Sequence, residues 1–503
     1  MNHIQSIDQL RLEVSATSSR AHKSRLGQFM TPLSTARFMA GLFDAKRGGV
    51  CRLLDPGAGI GSLASAFLNR CAEGSLSFET VIVDAYEVDT VLHTHLNQVL
   101  AGYHESCDLS YRIIGGDFVE RAVVDLKHDR GCDFTHAILN PPYKKISATG
   151  GERLLLRQVG IEAVNLYSGF VALALTRVQP GGEVVAIIPR SWCNGPYYRP
   201  FREFLFARAA LTHIHVFESR NRAFKDDGVL QETIIVRLVK NGQQGDVAIS
   251  VSSDDQFTDI RTYCHPFSRV VQPGDDQRFV HIPTLHAVSE LDADSAAFPC
   301  SLEDFRVGVC TGPVVDFRLK ASLRAMPEHG AVPLLYANHL TTGAVVWPLD
   351  GGKKPNAIMV DADSQKWLLP MGTYAVTKRF SSKEEKRRVV ATVIDATRLQ
   401  DCALIGFENH LNVFYSGTRK DKAGLSPALA HGLAVYLNST AVDDHLRRFS
   451  GHTQVNATDL RVLPYPNQKA LLALGAWSMK MGVVTQAEID AAITRLIIGA
   501  NRT

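Results

Sequence analysis

What the chain lacks narrows its class first. No two of its nine cysteines, at positions 51, 71, 107, 132, 193, 264, 300, 310 and 402, form a CxxC pair, and nine is odd. That argues against a structural zinc site and a disulfide framework, and it fits a reducing cytosol. No apolar run is long enough to cross a bilayer. The first thirty residues, MNHIQSIDQLRLEVSATSSRAHKSRLGQFM, are charged and lack an apolar core. The expectation is therefore a cytoplasmic protein with no secretory signal and no membrane contact. Charge of one sign is missing too, since 54 Lys and Arg against 51 Asp and Glu leave a net charge of +3. Such an average does not announce nucleic acid, although basic residues gathered on one face would escape it. Internal repeats, low-complexity segments, a metal-ligand cluster and a nuclease constellation are also missing.

What is present reads as a globular protein of 503 residues, 45% apolar and 21% charged, too long for one ordinary core. From about residue 50 to 240, short β-rich runs alternate with amphipathic stretches. The runs are Cys51–Asp55, Val81–Tyr86, Tyr111–Ile114, Thr135–Leu139, Glu183–Ile188, Leu211–Phe217 and Glu232–Val239, with helical patterns at Gly61–Cys71 and Leu166–Val178. This alternation predicts an α/β domain, a parallel sheet covered by helices. The last two runs are joined by a polar stretch (ESRNRAFKDDG), which predicts a hairpin and an antiparallel strand at the end of the sheet. Asn241–Val247 (NGQQGDV) reads as the start of a linker. Two domains are expected, 1–240 and 241–503, the second of mixed α+β texture and ending in a helix over Thr485–Ile498.

The strongest local signal is Leu53-Leu54-Asp55-Pro56-Gly57-Ala58-Gly59-Ile60-Gly61, between a β-run and a helical pattern. Glycines at 57, 59 and 61 let the backbone turn tightly and let a ligand approach the main chain. A dinucleotide site would place pyrophosphate at the following helix N-terminus. Asp55 at the strand end would repel pyrophosphate but suits a ligand bearing an ammonium group, which points to S-adenosylmethionine. Glu87, followed by Val88, comes after the second run, where an acid takes both ribose hydroxyls. Asp117 and Phe118 come after the third, placing a carboxylate at an adenine amino group and a ring against its base. Each alone is an ordinary loop-end residue; three in register behind one glycine loop form a nucleoside pocket.

After the fourth run stands Asn140-Pro141-Pro142-Tyr143. Here the chain resembles the amino-methyltransferases carrying a (D/N/S)PP(Y/F) motif, and the resemblance implies an exocyclic adenine amine as acceptor, a poor nucleophile because its lone pair is delocalised into the ring. The Asn140 side-chain oxygen and the Pro141 carbonyl can each accept one amine hydrogen and stabilise charge as it develops. Pro141 and Pro142 stiffen the loop, and Tyr143 offers a π-face to a base. With these motifs in this order, the chain resembles the adenine-N6 DNA methyltransferases carrying (D/N/S)PP(Y/F). Within them it is similar to the gamma-type, Eco57I/PstI-like modification enzymes with a C-terminal target-recognition domain. The resemblance implies a Rossmann-like sheet and S-adenosylmethionine as methyl donor. It also implies double-stranded DNA as partner, a flipped-out target base, and a monomer or weak dimer working beside a cognate endonuclease on a separate chain. It assigns Gln28, Phe29, Thr31 and Pro32, in GQFMTP, to closure over the methionine end of the cofactor, and Phe224 to stacking on the flipped base.

The resemblance is specific over residues 25–240 and weaker over 300–466. There Tyr436–Ser439, Gly451–Leu460 and Leu463–Pro466 look like target-recognition domains. Candidate phosphate contacts in this half are Lys378, Arg379, Arg387, Arg388, Arg419, Lys420, Arg447 and Arg448. Phe298-Pro299-Cys300-Ser301 looks like the Pro-Cys nucleophile of cytosine-C5 enzymes but falls outside any catalytic order, and Cys300 reads as incidental. Two other classes stay open. NPPY behind a glycine loop also occurs in enzymes that methylate a protein glutamine or a ribosomal RNA guanine, and a DNA-binding specificity protein with a degenerate catalytic domain would share the same layout.

Overall fold

The computed structural model describes residues 3–17, 30–45, 48–130, 133–218, 232–283, 297–341, 344–381, 385, 387–395, 399, 402–449, 454–482 and 484–498. The chain divides into two compact units, Met1–Leu285 and His286–Thr503.

In the first unit one sheet holds β1 (Val50–Pro56), β2 (Thr80–Glu87), β3 (Leu109–Gly115), β4 (Phe134–Leu139), β5 (Val178–Pro189), β6 (Ala209–Phe217), β7 (Thr233–Lys240), β8 (Val247–Ser252) and β9 (Arg261–His265). Their order is β3-β2-β1-β4-β5-β7-β6-β8-β9. The first five in that order pair in parallel. Parallel strands are buried on both faces, which is why they stand out as unbroken apolar runs. Val184, Val185, Ala186, Ile187 and Ile188 of β5 are all fully buried. Alternate residues feed two cores. Leu53, Val83, Ile138, Val185 and Ile187 pack with Ala36, Met39 and Phe67. Leu54, Tyr86, Leu139, Val184 and Ile188 pack with Phe118 and the helix Leu166–Arg177.

Two expectations need correction. The predicted hairpin exists, but β7 is not the end of the sheet; it lies antiparallel between β5 and β6, and β8 and β9 extend the sheet beyond β6. For the same reason the first unit does not stop at residue 240. Asn241–Val247 is a turn stitched to the sheet, where the Gln244 amide pairs with both backbone groups of Leu211 at 2.8 and 3.0 Å.

The strand order reverses direction between β1 and β4, which are adjacent with Leu53 opposite His136 and Leu54 opposite Ala137. In open α/β sheets ligands bind beyond the carboxyl ends of the strands at such a switch point. The glycine loop follows β1 and the NPPY segment follows β4, so the topology brings the two motifs side by side.

The second unit is mixed α+β. One antiparallel sheet runs Val307–Thr311, Leu411–Gly417, Thr373–Lys378, Ala391–Asp395. The helices Pro427–Leu437 and Gln468–Met481 touch backbone to backbone: a Cβ added at Gly432 would collide with the Leu471 carbonyl, and one at Gly475 with that of Ala428. The expected C-terminal helix is present as Gln486–Ile493, continued by a wider turn at Thr494–Ile498. The Tyr436–Ser439 segment is structural, since the Asn438 amide pairs with both backbone groups of Ala391 at 3.0 and 2.8 Å. Cys300 is likewise used through its backbone, which pairs with Tyr465 at 3.0 and 2.8 Å.

Candidate functional site

The glycine loop takes the conformations its sequence requires. Gly57, Gly59 and Gly61 have φ of +82°, +57° and +89°, a region that favours glycine. Gly57 and Ala58 donate to the Tyr86 carbonyl at 2.8 and 2.9 Å, which ties the loop to the end of β2. Gly61 begins the helix Ser62–Ala72, and a Cβ there would lie 2.8 Å from Leu96 Cδ1. At Gly59, by contrast, nothing lies within 4 Å of the position a Cβ would occupy. Gly59 lines a cavity together with Gly57, Ala58, Ile60, Glu87, Val88, Asp117, Phe118, Asn140, Met30 and Thr31.

Each acid of the pocket has a distinct setting. Glu87 ends β2; its Oε2 accepts from Gly59 N–H at 2.7 Å and its Oε1 from Asp89 N–H at 2.8 Å. Burial pushes its carboxyl up from the ordinary range, against the pull of those two bonds. Asp117 caps the helix Phe118–Lys127, accepting from Val119 and Glu120 N–H through Oδ1 at 2.7 and 3.2 Å. Phe118 packs edge-on against Tyr86, with centroids 5.1 Å apart, and tilted against Phe170 at 5.0 Å. Val88 lines the cavity and is 49% exposed, an apolar side chain left open to solvent.

Asp55 corrects an expectation. Its carboxylate is fully buried under the loop and is not part of the cavity wall. Oδ2 accepts from Ala64 N–H at 3.2 Å, within the first turn of Ser62–Ala72, and Oδ1 has no partner. Burial, with nearby Glu87 adding, raises its carboxyl to about 7. Asp55 therefore shapes the loop from beneath. Pro56, Gly61 and Pro32 also stand behind the wall, whereas Gly57, Gly59, Thr31, Glu87, Val88, Asp117, Phe118 and Asn140 line it. Gln28, Phe29 and Phe224 lie outside the described residues.

The NPPY segment leaves β4 at Asn140. The Asn140 Nδ2 donates to Thr31 Oγ1 at 3.1 Å, and the Tyr143 hydroxyl donates to Asn140 Oδ1 at 3.0 Å or to the Ile187 carbonyl at 3.2 Å. Burial pushes the Tyr143 phenol far up, so it stays a donor at any working pH. Its ring is half-buried and edge-on to Tyr167 at 6.3 Å. Pro141 is buried; Asn140 and Pro142 open on the cavity. Sequence reasoning missed Lys144 and Glu152, which line the same cavity. Lys144 follows the motif directly, a signal that was available; Glu152 arrives on the helix Gly151–Gln158, which carries no motif.

The donor set discriminates between nucleotides. Among the described residues of the wall, Lys144 is the sole cation against the carboxyl side chains of Glu87, Asp117 and Glu152. A pyrophosphate would meet that field unfavourably, whereas a nucleoside bearing cationic groups fits it. An acid for a ribose diol, an acid and a ring for an adenine, and an open backbone at Gly59 are the features S-adenosylmethionine requires.

Comparison with known proteins agrees with this geometry. A family model described as Eco57I restriction-modification methylase matches residues 120–224, the stretch that contains NPPY. Over 503 residues the chain is 46% identical to the type II methyltransferase M.BsuBI of Bacillus subtilis, covering 98% of both. It is 40% identical to the type II methyltransferase M.PstI of Providencia stuartii, covering 97% of this chain and 96% of that one. The chain belongs to the type II methyltransferases. Its cofactor is S-adenosylmethionine, and the pocket residues fit it. At the level of fold, the restriction-modification enzyme MmeI, solved with DNA, superposes with a TM-score of 0.54 at 8% identity, covering 99% of this chain and 75% of that one. DrdV, also solved with DNA, gives 0.54 at 12% identity over 95% of this chain and 60% of its own.

In the second unit of this type II methyltransferase the basic candidates divide. Arg388 is a correction: it is fully buried, its Nη1 donates to Ser381 O at 2.6 Å and its backbone N–H to Asp443 Oδ1 at 2.5 Å, so it cannot reach a phosphate. Arg379 is committed to Asn409 O and Gln454 Oε1, both at 3.1 Å. Arg387 donates to Ser439 O at 2.8 Å, and Arg447 bridges Asp443 at 2.7 Å. Arg419 and Lys420 are exposed and Lys378 half-exposed. The Arg448 side chain lies outside the described residues.

Proposed function

We propose that this type II methyltransferase methylates the exocyclic N6 of adenine within a short duplex sequence, acting on a base turned out of the helix. The observation that carries the reading is Asn140 at the carboxyl end of β4, with its side chain on the cofactor cavity and held between Thr31 and Tyr143. Bound in this cavity, S-adenosylmethionine would supply an electrophilic methyl on a sulfonium, with a neutral thioether as leaving group. The chain's own part is to prepare the nucleophile. Asn140 Oδ1 and the Pro141 carbonyl accept the two amine hydrogens, which draws the lone pair out of conjugation and stabilises the positive charge as nitrogen takes the methyl. One of those hydrogens then leaves to solvent. A stacked base cannot reach this floor, so the target adenine leaves the duplex; Tyr143 and, from family resemblance, Phe224 provide faces for it. Glu87 holds the ribose diol and Asp117 the adenine amino group, with Thr31 also on the cavity wall; family resemblance alone assigns Gln28 and Phe29, outside the described residues, to the methionine end.

Target recognition falls to the second unit. Specific protein–DNA interfaces bury about 1,000–2,500 Å² of protein, more than one pocket rim offers. Arg419, Lys420 and Lys378 are its candidate phosphate contacts. A separate endonuclease cutting the same sequence is the expected partner, with the methyltransferase itself monomeric or weakly dimeric.

The test is Asn140→Ala. Cofactor binding should stay close to wild type while transfer falls about 10²–10³-fold, the cost of removing one preorganised transition-state acceptor. Calorimetry and single-turnover transfer to a cognate duplex measure the two quantities. A variant that retained half of the wild-type rate would sink the assignment.

A further inference from the structure

The ring of Tyr143 has an obvious use in the reading above; its hydroxyl does not. A phenylalanine would offer the same face. Yet the hydroxyl is placed with care, 3.0 Å from Asn140 Oδ1 and 3.2 Å from the carbonyl of Ile187 on β5. Ile187 lies one residue past the last β4–β5 pair, Leu139 opposite Ala186, so this carbonyl is fixed by the sheet itself. At the other end of the same amide, Asn140 Nδ2 donates to Thr31 Oγ1 at 3.1 Å. Thr31 is buried and precedes the helix Leu33–Gly41.

We propose that the Tyr143 hydroxyl and Thr31 hold the Asn140 amide at both ends, making each a positioning residue for the acceptor that prepares the target amine. This rests on Asn140 being that acceptor. An asparagine side chain has free rotation about two bonds, and an acceptor that must first be oriented forfeits part of its transition-state worth. Two hydrogen bonds at opposite ends of the amide fix its plane before substrate arrives. The hydroxyl carries one proton and faces two acceptors. When an amine hydrogen takes its place at Asn140 Oδ1, the Tyr143 proton turns to the Ile187 carbonyl and is not left unpaired, so releasing the acceptor carries little penalty.

The experiment uses the full-length protein and the variants Tyr143→Phe, Thr31→Val and Thr31→Ser. Side-chain amide signals from nitrogen-labelled asparagine, with the Asn140 pair assigned by its loss in Asn140→Ala, report the hold without any turnover. Tyr143→Phe and Thr31→Val should each shift that pair and speed exchange between its two protons, and Thr31→Ser should restore it. Single-turnover transfer should fall about 10-fold in Tyr143→Phe, one hydrogen bond's worth, with cofactor and duplex dissociation constants within about twofold of wild type. The double variant Tyr143→Phe/Thr31→Val should fall by less than the product of the single effects, because both free the same amide. An Asn140 signal unmoved by Tyr143→Phe would overturn the proposal, whatever base the enzyme methylates. A wrong target base, by contrast, would show in the methylated product and leave the amide signals as expected.

Discussion

Gly59 and Gly61 stand two residues apart in one loop, and substituting each by alanine should fail in opposite ways. Both have positive φ, +57° and +89°, so alanine at either position carries backbone strain of roughly 1–2 kcal/mol. At Gly61 a steric cost is added. The new Cβ would lie 2.8 Å from Leu96 Cδ1 and 3.3 Å from Val99 Cγ1, and Leu96 is fully buried in the core beneath the helix. Overpacking of this kind typically costs about 1–3 kcal/mol, so Gly61→Ala should destabilise the chain by roughly 2–5 kcal/mol in total. At Gly59 the Cβ meets no protein atom within 4 Å, and the residue itself lines the cavity. Gly59→Ala should therefore lose only that strain, roughly 1–2 kcal/mol of stability, while cofactor affinity falls by about two orders of magnitude if the methyl takes ligand space. Denaturant titration without cofactor, paired with calorimetric binding of S-adenosylmethionine, separates the two effects. A Gly59→Ala protein that bound cofactor with wild-type affinity, or a Gly61→Ala protein as stable as wild type, would refute the placement of the pocket.

Asp55 makes stability depend on pH in a defined sense. Its carboxyl is raised from 3.8 to about 7, chiefly by burial, so the folded chain binds that proton more tightly than the unfolded one. This contribution is complete below about pH 4 and is lost as pH rises through about 7; Asp55→Asn should flatten that slope in denaturant titrations, and an unchanged slope would count against the burial argument. In the second unit, replacing exposed Arg419 and Lys420 by alanine should leave stability intact and weaken cognate and non-cognate duplexes equally. The slope of log affinity against log salt should flatten by about 0.9 for each phosphate no longer neutralised. Arg388→Ala should instead lower the melting temperature, because the buried Ser381 carbonyl would lose its guanidinium donor and Asp459 a nearby cation; a melt like that of wild type would contradict its placement in the core.

Much of the first unit was legible because its strands are buried on both faces and announce themselves as apolar runs. The motifs were legible because each sits at the carboxyl end of a strand, where the sheet assembles them without help from the rest of the chain. What depends on pairing was not. Nothing in Thr233–Lys240 says that β7 inserts between β5 and β6, and NGQQGDV looks like a linker until Gln244 is seen bonded to Leu211. Charge was misleading where burial decides its role: Arg388 reads like Lys420 in sequence, and only packing separates a core guanidinium from a solvent-facing amine. Asp55 belongs to the glycine motif, but the direction of its side chain, under the loop and out of the cavity wall, is a property of the fold.

The central claim is the identity of the methylated atom, and the product reports it directly. Full-length protein is incubated with duplex DNA and S-adenosylmethionine; the DNA is digested to nucleosides and resolved by mass spectrometry, and the modified positions are mapped by sequencing. The account predicts N6-methyladenine at one position of one short recurring sequence, with none formed by Asn140→Ala. Methyl groups found on cytosine, or on adenines without a common sequence, would contradict it.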